Sequence, residues 1–205
     1  MHRRALVTGG AVRVGQAIAL ALARAGMDVA IGYYRSGRAA RRTAAEIGAL
    51  GARATVIRAN LADPAAAQRL VRQAGRALGG LDVLVNSAAV FDRTPFATTT
   101  VARYDRLLGL NLRAAFFCAQ AAAALMRRGG HIINIGDAGA AGPRPNYARR
   151  GTEAAWILRG ALRKVARGHP GSAADVAAAV LFFATCPRYS TGQVLKVDGG
   201  EGVTS

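Results

Sequence analysis

At 205 residues and 52% hydrophobic content, the chain can bury one sizeable core but not two, so residues 1–205 read as a single domain. The formal net charge of +17 raises nucleic acid as a partner, but arginine is scattered over almost every helical stretch, with no basic run interleaved with aromatics and no zinc or helix-turn-helix signature. Nucleic-acid binding is therefore not expected. Neither is a membrane span, because no apolar run reaches about 18 residues, and a cytoplasmic protein is the simplest expectation.

Short apolar or β-branched runs alternate with Ala-rich helical stretches from the start: RALVT, VGQAIALALARAG, DVAIGYY, GRAARRTAAEIGALG, RATVIRAN and DPAAAQRLVRQAGRALGG. LDVLVNSAA, a helical region from about Thr99 through Met126, and HIINIGD continue the pattern. Repeated strand and helix predict an α/β fold, a Rossmann-type doubly wound parallel sheet with helices on both faces. Ligands of such sheets bind beyond the carboxyl ends of the strands. After Asp137 the pattern falters in a Gly/Pro-rich loop, AGAAGPRPNYARRG. Helices over about Glu153–Ala166 and Ala173–Thr185 follow, with a last strand in TGQVLKVDGG, and no further strand is readable between Asp137 and Gly192. Cys118 and Cys186 lie far apart in apolar stretches and read as core residues; no metal site is expected.

Thr8-Gly9-Gly10-Ala11-Val12-Arg13-Val14-Gly15 forms the turn between the first strand and a strongly helical segment. That order sets backbone N–H groups and a helix N-terminus against a pyrophosphate, with glycine where the chain turns tightly. The second strand ends Tyr33-Tyr34-Arg35-Ser36, without the carboxylate that binds a ribose 2′-hydroxyl in NAD sites. Arg35 and Ser36 instead suit a 2′-phosphate, which makes NADP(H) the expected cofactor.

The turn resembles the TGxxxGxG motif of the short-chain dehydrogenase/reductase family, matching at Thr8, Gly9 and Gly15, with Arg13 where a glycine is usual. Arg13 and the YRS run resemble the pteridine reductase branch, in which the arginine reaches cofactor phosphate and substrate. The resemblance assigns Val14 and Tyr34 to the cofactor site, Asn60 and Leu61 to the lining of the adenine, and Asn86 and Ala88 to the segment after the fourth strand. It assigns Asn111 to the support of a proton relay. Phe91 matches an aromatic that stacks a flat ring against the nicotinamide, with Arg93-Thr94-Pro95-Phe96 also similar to that branch. Asp137 stands where pteridine-reductase-like members carry an aspartate that assists the catalytic tyrosine. The implied reaction is hydride transfer from NADPH to a pterin-like or other small carbonyl or imine substrate, in a homo-oligomer.

That family's acid is a tyrosine with a lysine four residues on, whose ammonium favours the phenolate. Four residues after Tyr33, Tyr34, Tyr104, Tyr147 and Tyr189 stand Gly37, Arg38, Leu108, Gly151 and Gln193, so there is no YxxxK. By family spacing the pair would fall near Arg150 and Ala154, and a block of about 30 to 50 residues, with the catalytic helix and one strand, is absent. Two readings stand: an NADPH-dependent reductase whose sequence lacks an internal segment, or a catalytically silent NADP(H)-binding module. The first predicts a strand-wide vacancy between residues 132–135 and 193–197; the second predicts that these two segments pair directly.

Overall fold

The computed structural model describes residues 2–92, 98–127, 129–136, 171–186 and 190–199. Five strands, β1 (Arg4–Thr8), β2 (Asp28–Tyr33), β3 (Ala54–Arg58), β4 (Val83–Asn86) and β5 (His131–Asn134), form one sheet in the order β3-β2-β1-β4-β5. Every pairing is parallel. The crossover from β3 to β4 passes over β2 and β1, so strand order reverses at β1, and the open crevice of a doubly wound sheet lies there.

Helices cover both faces, as parallel strands require. α1 (Arg13–Arg24), α2 (Gly37–Ala49) and a last helix, α6 (Ala173–Thr185), pack on one face, where Ile18, Leu22, Ile47 and Val180 meet Val7, Val29 and Val85. On the other face, α3 (Pro64–Leu78) and α5 (Ala114–Leu125) close over Leu6, Ala30 and Leu84. Alternate residues of one strand thus feed opposite cores: Leu6 points one way, Ala5 and Val7 the other. The central strands are buried, β4 along its whole length and β1 from Ala5 onward, which is why those stretches run apolar without alternation.

α4 (Val101–Leu108) runs through a π-helical turn at Gly109–Arg113 into α5, making one helix of 25 residues from Val101 to Leu125. By length and composition alone this helix is apolar enough to cross a membrane, because Leu, Ala and Phe are interspersed with few charges over its second half. In the fold, Ala114, Cys118 and Ala122 form a buried face of this helix, packed against α3.

The helix expected at Ala173–Thr185 has those bounds, held by a capping box in which Ser172 and Asp175 satisfy each other's backbone N–H groups. The helix expected at Glu153–Ala166 and the junction at Tyr147–Thr152 lie outside the described residues. The last strand expected at Gln193–Val197 is a correction: these residues join no ladder, and Val194 is 90% exposed. Among the described residues β5 has a single partner, β4, so no strand lies beside its outer edge. The direct pairing of 132–135 with 193–197 required by an intact smaller sheet is not formed.

The amino ends of the strands are tied by two ion pairs of one design. Asp28, at the start of β2, accepts from the Arg53 backbone N–H (2.9 Å) and from its Nη2 (2.7 Å). Asp82, just before β4, accepts from the Arg4 backbone N–H (2.9 Å) and Nε (2.8 Å). Each carboxylate thereby fixes the register of a neighbouring strand. Burial pushes both carboxyls up, but the hydrogen bonds and charge of Arg53 and Arg4 outweigh it and hold each below the usual carboxylate range. A lowered folded-state pKa stabilises the fold above the unfolded value of about 3.9 and is lost as pH falls through the folded value. Asp28→Ala should therefore cost about 1–2 kcal/mol in urea unfolding at pH 7, the exposure of Arg53 limiting the figure, and the deficit should shrink below about pH 4.

Candidate cofactor site

The turn after β1 is shaped by what cannot be there. A Cβ on Gly15 would collide with the Gly9 carbonyl, and one on Gly9, whose φ is +66°, would stand 2.9 Å from Ala88 Cα. Two glycines therefore let the start of α1 and the segment after β4 close on the turn. Three hydrogen bonds hold it: the Gly10 N–H donates to the Gly32 carbonyl (3.2 Å), the Thr43 hydroxyl to the Ala11 carbonyl (3.3 Å), and the Thr8 hydroxyl to the Val85 carbonyl (3.4 Å). Thr8 Oγ1 also accepts from Ser87 N (3.0 Å) and Ala88 N (3.1 Å), so the segment after β4 hangs on this one side chain.

The helix beginning at this turn is uncapped. Val12 offers α1 no side-chain bond and its first turn holds no acid; α2 likewise starts at Ser36 without a side-chain cap bond or an acid. By contrast, α3, α4 and α6 are capped by Asp63, Thr100 and Ser172. Uncapped N–H groups at a helix start carry partial positive charge and hydrogen-bond an anion well. The two bare helix starts are those following β1 and β2, where the pyrophosphate and the 2′-phosphate of a dinucleotide are expected, so the residues present fit such a cofactor.

Arg13 has a φ of +54°, alone among the described non-glycine residues in the left-handed region. The usual glycine at this position is explained by that angle, and an arginine there bears about 1 kcal/mol of backbone strain. Its side chain is exposed at the site.

At the end of β2, Tyr34 is 42% exposed, with the Arg35 guanidinium 5.6 Å and the Arg58 guanidinium 5.7 Å from its ring centre. Arg58 Nε donates to the Tyr34 carbonyl (3.2 Å). Ser36 caps nothing through its hydroxyl.

The remaining residues divide by what their side chains already do. Asn60 Oδ1 accepts from Ala62 N (3.3 Å) and shapes the turn into α3, while Leu61 is buried in the core under α3. Asn86 Nδ2 donates to Asn134 Oδ1 (2.9 Å), joining the ends of β4 and β5, and its Oδ1 is a buried acceptor without a partner among the described residues. Asn111 lies in the π-helical turn, and its amide clamps the Val90 backbone, accepting from N and donating to O at 2.9 Å each. That clamp sets the position of Phe91, which is 65% exposed beyond the end of β4. Asp137 and Arg93-Thr94-Pro95-Phe96 lie outside the described residues. The Cys118 thiol, pushed up to about 12 by burial, is inert at neutral pH.

Thr43 and Arg58 also belong to the site, and neither stands in a motif. Thr43 shares the buried stripe of α2 with Ala40 and Ile47, and a polar residue on such a stripe signals a backbone partner. Arg58 is a charged residue ending an apolar strand beside the YYRS run.

A match to the family described as short chain dehydrogenase covers residues 3–149. The chain belongs to the short-chain dehydrogenase/reductase family. It is 30% identical to a 3-oxoacyl-[acyl-carrier-protein] reductase from Synechocystis, over 96% of this chain and 95% of that protein. To an L-rhamnose 1-dehydrogenase (NAD(P)(+)) from Sphingomonas it is 40% identical over 126 residues, 62% of this chain and 50% of the relative. A solved short chain dehydrogenase from Burkholderia cenocepacia in complex with NADP superposes with a TM-score of 0.80 at 34% identity, covering 98% of each chain. The chain spans about half the length of several other curated relatives it matches. The Synechocystis match runs over 235 positions against a chain of 205 residues, so at least 30 positions of this reductase have no counterpart here.

Arg13→Gly separates strain from function. It should leave the fold equally stable or stabilise it by up to about 1 kcal/mol in urea unfolding while weakening dinucleotide binding severalfold in calorimetry, because the strain and the guanidinium are removed together.

Proposed function

We propose that this protein is an NADPH-dependent reductase of the short-chain dehydrogenase type, acting on a pterin-like or other small carbonyl or imine substrate. The observation that carries the cofactor choice is the end of β2, where Arg35 and the unengaged Ser36 hydroxyl stand at a bare helix start and no carboxylate follows the strand. NADPH, when bound, supplies the hydride. The chain's own residues hold it: the Gly9–Gly15 turn and the first N–H groups of α1 bind the pyrophosphate, and Arg35 and Ser36 the 2′-phosphate. Asn60 and Leu61 edge the adenine through their backbone, and Asn86 and Ala88 through the segment tied to Thr8. Arg13 and Phe91 border the substrate side, the one offering donors to a heterocycle edge and the other a flat exposed face. Asp137 would assist the proton transfer, and Asn111 supports that side by fixing Val90. A second copy of the chain is the proposed partner, supported by the exposed apolar side chains Val101, Tyr104, Leu112 and Phe116 along one long helix.

The missing YxxxK pair favours a second reading, a silent NADP(H)-binding module. Against it stand the at least 30 unmatched positions of the Synechocystis reductase and the unladdered segment 193–197, both in keeping with an internal segment of a working enzyme that this sequence lacks. Intact mass of the protein isolated from its native source distinguishes them. The reductase reading expects several kilodaltons above 21.2 kDa, and a mass of 21.2 kDa promotes the silent module.

The cofactor choice has its own test in calorimetric titration. NADPH should bind at least about tenfold more tightly than NADH, and Arg35→Asp, by setting a negative charge against the 2′-phosphate, should erase or reverse the difference. Equal affinities in the unsubstituted protein contradict the choice.

A further inference from the structure

We propose that Arg58, at the end of β3, is a second cation of the 2′-phosphate subsite and a determinant of the preference for NADP(H) over NAD(H); the inference rests on the cofactor reading above. β3 is the edge strand beside β2, and Tyr33 and Arg58 are register partners in that ladder. The parallel pairing carries both strands out of the sheet together, so the residue ending β3 stands beside the residues following β2. The Nε bond from Arg58 to the Tyr34 carbonyl fixes the root of the guanidinium against the backbone that leads into Arg35 and Ser36. One of five donors is thereby used, and the remainder of the fork lies by the Tyr34 ring, 5.7 Å from its centre.

Arg35 approaches the same ring at 5.6 Å. Two guanidinium groups are thus gathered on one aromatic side chain, and among the described residues neither is ion-paired to a carboxylate. The ring attracts each cation, and two positive charges held on one side chain make its surroundings favourable for an anion. A phosphate monoester carries close to two negative charges at neutral pH and accepts from several donors at once, which matches paired planar forks and the Ser36 hydroxyl. A bare ribose 2′-hydroxyl would leave both charges uncompensated. Arg58 therefore adds discrimination between the two dinucleotides without contacting the parts they share.

The test titrates 2′,5′-ADP and 5′-AMP, which carry the adenosine end with and without the 2′-phosphate, into the unsubstituted protein and into Arg58→Gln and Arg58→Lys. Arg58→Gln should weaken 2′,5′-ADP about tenfold, as loss of a charge-assisted bond does, and leave 5′-AMP within roughly a factor of two, with Arg58→Lys recovering part of the loss. Equal weakening of both ligands would make Arg58 a mere support for Tyr34 and overturn the inference. Retention of full discrimination in Arg58→Gln overturns it too, while leaving the NADP(H) reading intact. If the unsubstituted protein fails to distinguish the two ligands, the cofactor reading fails and the inference falls with it.

Discussion

The close approach of Gly15 to the Gly9 carbonyl is the constraint on which the site depends. No side chain fits between them, so the chain after β1 turns back on itself tightly enough for α1 to begin directly over the strand end. The Ala88 backbone then comes against Gly9, and Thr8 ties the segment after β4 to β1 through two accepted bonds. From β4 the same geometry passes to Val90, which Asn111 clamps from the π-helical turn, and so to the exposed Phe91. The cofactor edge is a chain of backbone placements, each fixed by one polar side chain or one missing Cβ.

The two edges of the sheet divide the charge. At the amino edge, arginines are balanced: Arg4 by Asp82 and Arg53 by Asp28, in pairs that set strand register. At the carboxyl edge, Arg35 and Arg58 gather on Tyr34 without ion pairs among the described residues, and the starts of α1 and α2 carry neither a side-chain cap nor an acid in the first turn. An edge left positive in this way costs some stability and is suited to an anionic ligand. Part of the chain's net charge of +17 thus has a local purpose that composition alone does not reveal.

Much of this was legible in the sequence because strand and helix periods are local signals. The order of elements through β5, and the helix at Ala173–Thr185, follow from runs of apolar residues and from glycines at strand ends. The phosphate turn was readable for the same reason. What depends on pairing across the sheet was not readable. Arg58 gains its place only because β3 lies beside β2, and Thr43 only because α2 packs over the Ala11 carbonyl. The side chain of Asn111 also holds the Val90 backbone, a partner 21 residues away that no local pattern announces. Residues 193–197 look like a strand because Val194, Leu195 and Val197 make a short apolar run, two of its three members β-branched. Pattern supplies propensity but not a neighbour, and without one the segment stays outside the ladder.

The proposed dinucleotide cradle lies in a chain without a YxxxK pair. A crystal structure of the protein with NADP+ tests it most directly. The pyrophosphate should lie over the first N–H groups of α1, between Gly9 and Gly15, and the 2′-phosphate beside Arg35, Ser36 and Tyr34. A dinucleotide bound elsewhere, or a turn that closes over its own helix start and admits none, would contradict it.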